Sequence, residues 1–100
     1  MNRPRSDIKS VFDELFDAQE AANLKIRSKL MTRLVIYMDE HELTQQEAAE
    51  RFNVGQPRVS HLVNGQIGTF TIDALVNMCH AVGINVAVDF DDAYASTEEE

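Results

Sequence analysis

The sequence predicts an all-α bundle that ends in one short β-strand. Three observations carry that prediction. Apolar residues recur at helical spacing from about residue 17 to residue 82, with clear cap signals between the runs. Residues 43–65, LTQQEAAERFNVGQPRVSHLVNG, read as two short helices joined by a tight turn. Strict alternation of apolar side chains appears at one place, at Ile84, Val86, Val88 and Phe90.

Residues 1–16 read as an N-terminal arm. The first ten are polar, with three basic residues and Pro4, which is the pattern of a flexible terminus. Residues 11–16, VFDELF, form a small apolar patch that suits either a turn of helix or an extended segment. A long helix is expected over residues 17–41. Asp17 can cap it, and Glu20 completes the capping-box spacing. Ile26, Leu30, Leu34, Tyr37 and Met38 form its apolar stripe. Lys25, Lys29 and Arg33 repeat every four residues elsewhere on it, as either a solvated charged face or a row of phosphate or partner contacts.

Thr44 opens the second helix, and Glu47 three residues later makes a capping box. Ala48, Ala49 and Phe52 share one face, and the small Ala pair lets another helix cross closely. Asn53-Val54-Gly55 breaks the run, with Gly55 the expected carrier of a positive φ. Pro57 restarts a helix at its first position, where the missing N–H does no harm. Val59, Leu62 and Val63 are expected inside; Gln56, Arg58, Ser60 and His61 are left outside. Asn64-Gly65 ends this third helix. Two helices in this arrangement are the layout of a helix-turn-helix.

Phe70 reads as a core plug. Thr71 caps a fourth helix over residues 72–82, and Gly83 ends it. Its apolar residues cover more than one stripe, which suggests contact with a second subunit as well as with the core. The alternating segment 84–90 must find a ladder partner, in the N-terminal segment or in another copy of the chain. Residues 91–100 read as an acidic disordered tail. The domain plan is therefore an arm (1–16), a helix-turn-helix domain with a dimerising helix and strand (17–90), and a tail (91–100).

The chain of 100 residues fits one domain with a modest core. Its net charge of −8 is unusual for a partner of nucleic acid. The distribution matters more than the sum. Residues 1–41 are neutral overall, residues 42–70 carry −1, and residues 71–100 carry −7. The helix-turn-helix can therefore meet phosphates if the C-terminal third points away. Cys79 is the lone cysteine and reads as a small core residue. Metal-ligand spacing and catalytic constellations are absent, so neither a metal, a cofactor nor an enzymatic activity is expected. His41, His61 and His80 share no evident site. With no signal peptide and no membrane-length apolar run, a cytoplasmic protein is expected.

The run of residues 43–65 resembles the Xre/lambda-repressor-like helix-turn-helix family. The continuation FTIDALVNMCHAVGINVAVDF resembles its HigA-like antitoxin branch, where a QPRVS helix precedes a helix and a valine-rich strand. The resemblance spans residues 11–90. It implies a lambda-repressor-like bundle that binds double-stranded operator DNA as a homodimer and represses transcription. It implies a DNA-binding helix that includes Pro57, with base contacts from Gln56, Arg58, Ser60 and His61, since Gln pairs with adenine and Arg with guanine. Phosphate contacts fall to Thr44, Gln45 and Gln46 at a helix N-terminus, and to Asn64 and Gln66 after the recognition helix. His61 departs from the commoner side chains at its position. The branch further implies a toxin partner, a small basic ribonuclease of the RelE-like kind, for which the acidic C-terminal third is a suitable surface. A stand-alone or phage regulator of the same family fits the motifs too. So does an interaction module that keeps the fold without binding DNA.

Overall fold

The computed structural model describes the backbone of residues 3–91 and the side chains of residues 17–91. Four helices follow in order: α1 (Arg3–Glu40), α2 (Gln45–Phe52), α3 (Gln56–Val63) and α4 (Ile72–Ala81), with a single 3-10 turn at Ile67–Thr69 between the last two. The described residues thus form an all-helical bundle, as their periodicity predicts.

The first helix starts far earlier than the expected cap at Asp17. Its backbone is helical from Arg3, and Asp17 lies in mid-helix. The physical reason is a lack of breakers. Pro4 sits in the first turn, where a helix tolerates it, and no glycine or proline follows until Gly55. The side chains of the 11–16 patch and the tail beyond Asp91 lie outside the described residues.

All four helices stop in the same way. A residue in the left-handed region follows the helix, its N–H bonds three residues back, and the next N–H bonds five back. The left-handed residues are Glu42, Asn53, Gly65 and Gly83, with φ of 53°, 62°, 73° and 81°. The longer bonds are Leu43 N to Met38 O at 3.0 Å, Val54 N to Ala49 O at 3.0 Å, Gln66 N to His61 O at 2.9 Å and Ile84 N to Cys79 O at 2.9 Å. This closure satisfies helix-end carbonyls that would otherwise be orphaned. It also corrects the expected turn. Asn53, not Gly55, takes the left-handed conformation between α2 and α3. Gly55 is extended (φ −76°, ψ 157°) and serves as the N-cap of α3.

The core draws Leu30, Met31, Leu34 and Met38 from α1, and Ala48, Ala49 and Phe52 from α2. Val59 and Leu62 come from α3, Leu75, Met78 and Cys79 from α4, and Phe70 enters from the loop, as expected of a plug. Two expected core residues are outside: Ile26 is 49 % exposed and Val63 45 %. The register of α1 explains the first, since Arg27 and Met31 take the inward positions that flank Leu30 and Leu34. Burial of Cys79 pushes its thiol pKa up, partly opposed by the Arg33 guanidinium.

The second apolar face expected of the fourth helix is not free. Ile72, Val76 and Val82 pack against the chain's own core, and of the exposed positions Asp73, Asn77 and His80 are polar or charged while Ala81 alone is apolar. Among the described residues no strand is formed. Ile84 N closes α4, and Ile84 and Val86 pack on the core. Val88 and Phe90, the outer half of the alternating set, are 77 % and 82 % exposed. Among the described residues this segment has no ladder partner.

Candidate nucleic-acid interface

The second helix begins with the full reciprocal cap. Glu47 N donates to Thr44 Oγ1 at 3.1 Å, and Thr44 N donates to the Glu47 carboxylate at 2.9 Å. Thr44 and Gln46 are exposed and Gln45 is half-buried at this N-terminus. Free backbone N–H groups and the positive end of the helix dipole gather there, the ordinary arrangement for holding an anion.

Buried Ala48 and Ala49 let α2 and α3 pack closely through the Asn53 turn. Val59 and Leu62 anchor α3 from below. The opposite face is then fixed by the 3.6-residue period. Gln56, Pro57 and Arg58 are exposed there, Ser60 and His61 half-buried, and Asn64 exposed at the C-cap. The structure therefore brings the predicted readers together on one helix, with Thr44, Gln45 and Gln46 on the neighbouring helix.

Arg58 is not a free reader. Its Nη1 donates to the Thr69 carbonyl at 3.3 Å, and its guanidinium lies 5.4 Å from the Phe70 ring centroid. Asn64 Nδ2 stands 3.5 Å from Ser60 Oγ, a long contact that keeps it beside α3. Thr69 Oγ1 donates to the Gln66 carbonyl at 2.8 Å, which folds residues 66–69 tightly.

Arg27 is the residue that sequence reasoning missed. Its Nη1 donates to the carbonyls of Ile67 at 3.0 Å and Phe70 at 3.2 Å. Its side chain is 12 % exposed and keeps Glu20 at 4.0 Å. Arg27 thus ties α1 to the loop that follows α3. A signal was present: Arg27 precedes Leu30, Met31, Leu34 and Met38 at helical spacing, so a cation sits on an apolar stripe. His41, His61 and His80 lie on separate elements: after α1, on α3 and on α4.

No described helix is long and apolar enough to cross a membrane. Residues 11–91 match the family described as a helix-turn-helix domain. Comparison with curated proteins gave no match.

Proposed function

Because the chain belongs to this helix-turn-helix family, we propose that it is a sequence-specific transcriptional repressor that binds double-stranded operator DNA. The observation that carries this reading is the outer face of α3. Gln56, Arg58, Ser60 and His61 hold base-pairing chemistry on the side of the helix away from the core. Thr44, Gln45, Gln46 and Asn64 flank that face and suit phosphates, which position the protein without reading sequence.

The repressor acts as a homodimer, so that two recognition helices meet half-sites about 34 Å apart. Exposed Val88 and Phe90 support this, because a ladder with a second copy would cover them. The Xre-type, HigA-like resemblance further supports an antitoxin that represses its own operon and silences a RelE-like ribonuclease. The excess of carboxylates in residues 71–100 suits a basic partner. The reading needs no cofactor, metal or catalytic step, and it places the protein in the cytoplasm.

The test is fluorescence anisotropy with the DNA upstream of its own reading frame. Gln56→Ala should weaken specific binding by roughly 1–3 kcal/mol, the worth of one bidentate base contact. Wild-type protein that binds upstream and scrambled DNA equally, or not at all, overturns the repressor. The antitoxin assignment is tested separately, by co-purification with the product of the adjacent reading frame and relief of that product's toxicity.

A further inference from the structure

In the row Lys25, Lys29 and Arg33, only Arg33 has a part in the fold described so far, beside Cys79. Two lysines at i and i+4 repel, and Lys29 repels Arg33 in turn. The helix offers no compensation at neighbouring turns. Lys25 has Ala21, Ala22, Ser28 and Lys29 at those positions; Lys29 has Lys25, Ile26, Thr32 and Arg33. Among the described residues the ion pairs of α1 are Arg27 with Glu20 and Arg33 with Glu40 at 3.9 Å. Both lysines are exposed and in neither pair.

Their place relative to α3 is set by contacts on either side. Arg27 fastens this stretch of α1 to Ile67 and Phe70. Ser28 and Thr32 line a groove of about 300 Å³ with Val63, Gly65 and Ile67, at the end of α3. Lys25, Ser28, Lys29 and Thr32 follow one another at i, i+3, i+4 and i+7, so they form one strip of the helix. The lysines do not line the groove themselves; they stand on the solvent side of the two groove residues Ser28 and Thr32.

We infer that this strip of α1 is a second track for the DNA backbone, in which Lys25 and Lys29 contact phosphates beyond those held by α2 and by the loop after α3. The inference rests on the DNA-binding reading and extends it. Phosphates offset the repulsion along the strip. The track also answers the charge problem, since it sets cations beside α3 in a chain whose net charge is −8. Contacts of this kind carry no sequence preference.

The experiment measures affinity against salt for the full chain and for the Lys25→Gln/Lys29→Gln double variant. The probes are the upstream duplex and a scrambled one, with Gln56→Ala as a comparison. Each phosphate contact contributes about 0.9 to the log–log salt slope. With two copies of the strip in the dimer, the double variant should therefore lose about 3.6 from the slope, about 1.8 for each subunit, and it should lose affinity for both duplexes by the same factor, roughly tenfold or more at 0.1 M salt. Gln56→Ala should leave the slope alone and lose only the upstream preference. If the double variant keeps its slope and affinity while Gln56→Ala loses its preference, the track is wrong and the repressor stands. If wild type binds neither duplex, both fall together. If the slope change vanishes in a chain ending at Asp91, the strip holds the chain's own acidic segment, and the inference is overturned. A thermal melt of the double variant no lower than wild type excludes misfolding as the cause.

Discussion

Gln56 and Arg58 stand two residues apart on α3, yet removing each should have different consequences. Among the described residues the Gln56 side chain has no hydrogen-bond partner, and it is exposed at the start of the helix. Gln56→Ala should lower operator affinity with no change in melting temperature. Arg58 holds the Thr69 carbonyl and the Phe70 ring. An exposed cation–π contact of about 0.5–1 kcal/mol and a hydrogen bond of similar size depend on it. Arg58→Ala should therefore lower both stability, by about 1 kcal/mol, and affinity; an unchanged melt would show that the contact to Phe70 is incidental. The sequence marks both residues as outward on α3. It does not reveal that Arg58 reaches along the surface to Thr69, because the acceptor is a backbone carbonyl eleven residues away. Cys79 illustrates the reverse case, a role readable from its apolar neighbours alone. It is fully buried and its thiol is held protonated by that burial. Native protein at neutral pH should resist a thiol reagent that labels it at once in denaturant. The sign for stability follows: the fold retains the proton, so this contribution is intact below the ordinary thiol pKa and is lost as pH rises through the raised one.

At the scale of elements, the ends of all four helices were legible to within a residue or two, and so were the starts of the three after α1. Thr44 and Thr71 cap as their side chains predict, the latter accepting from Ala74 N at 3.1 Å. The residue that turns the chain is readable only where glycine marks it, at Gly65 and Gly83. Glu42 and Asn53 adopt the same left-handed conformation without that mark, and the nearby Gly55 draws the expectation away from Asn53. The false start at Asp17 has a similar origin, because a cap signal inside an unbroken helical run carries no weight against the missing breaker. Glu42 is the more strained of the two unmarked ends. A non-glycine residue pays a steric penalty there, and its carboxylate lies by the negative end of α1. Glu42→Gly should stabilise the fold by about 0.5–1 kcal/mol and raise Tm by several degrees. Asn53→Gly should give a smaller gain, since Asn tolerates this region. A drop in Tm for Glu42→Gly would mean that the Glu42 side chain supports the α1–α2 joint in a way its geometry does not display. Thr44→Ala, which removes the acceptor for Glu47 N, should cost about 1 kcal/mol, read from the same melts.

For the molecule as a whole, the bundle and its core were legible because apolar periodicity survives in every helix. What could not be read was the fate of the segment 84–90, since alternation says that a strand has a buried side but not whose chain buries it. Within one chain the answer is now half given: Ile84 and Val86 pack on the core, whereas Val88 and Phe90 project into solvent. The exposed face of α4 is mostly polar, so the segment offers the more apolar surface to a second copy. Two such segments paired across a two-fold axis would satisfy their backbone groups and cover four exposed apolar side chains at once. Residues 95–100 add only charge and polar groups to this picture, so deleting them should leave the melt unchanged and operator binding undiminished. Val88→Asp is the sharper change. At a side chain already 77 % exposed it costs the single subunit little. In a dimer it sets a carboxylate on the apolar face of the shared ladder, beside Asp89 and facing its own copy. The variant should remain folded by circular dichroism, elute as a monomer in light scattering, and lose far more operator affinity than the 1–3 kcal/mol of a single base contact, because the two half-sites are no longer bound by linked subunits. Wild-type protein that scatters as a monomer at micromolar concentration without DNA, or a Val88→Asp variant that remains dimeric, would take the two-fold assembly away from this segment.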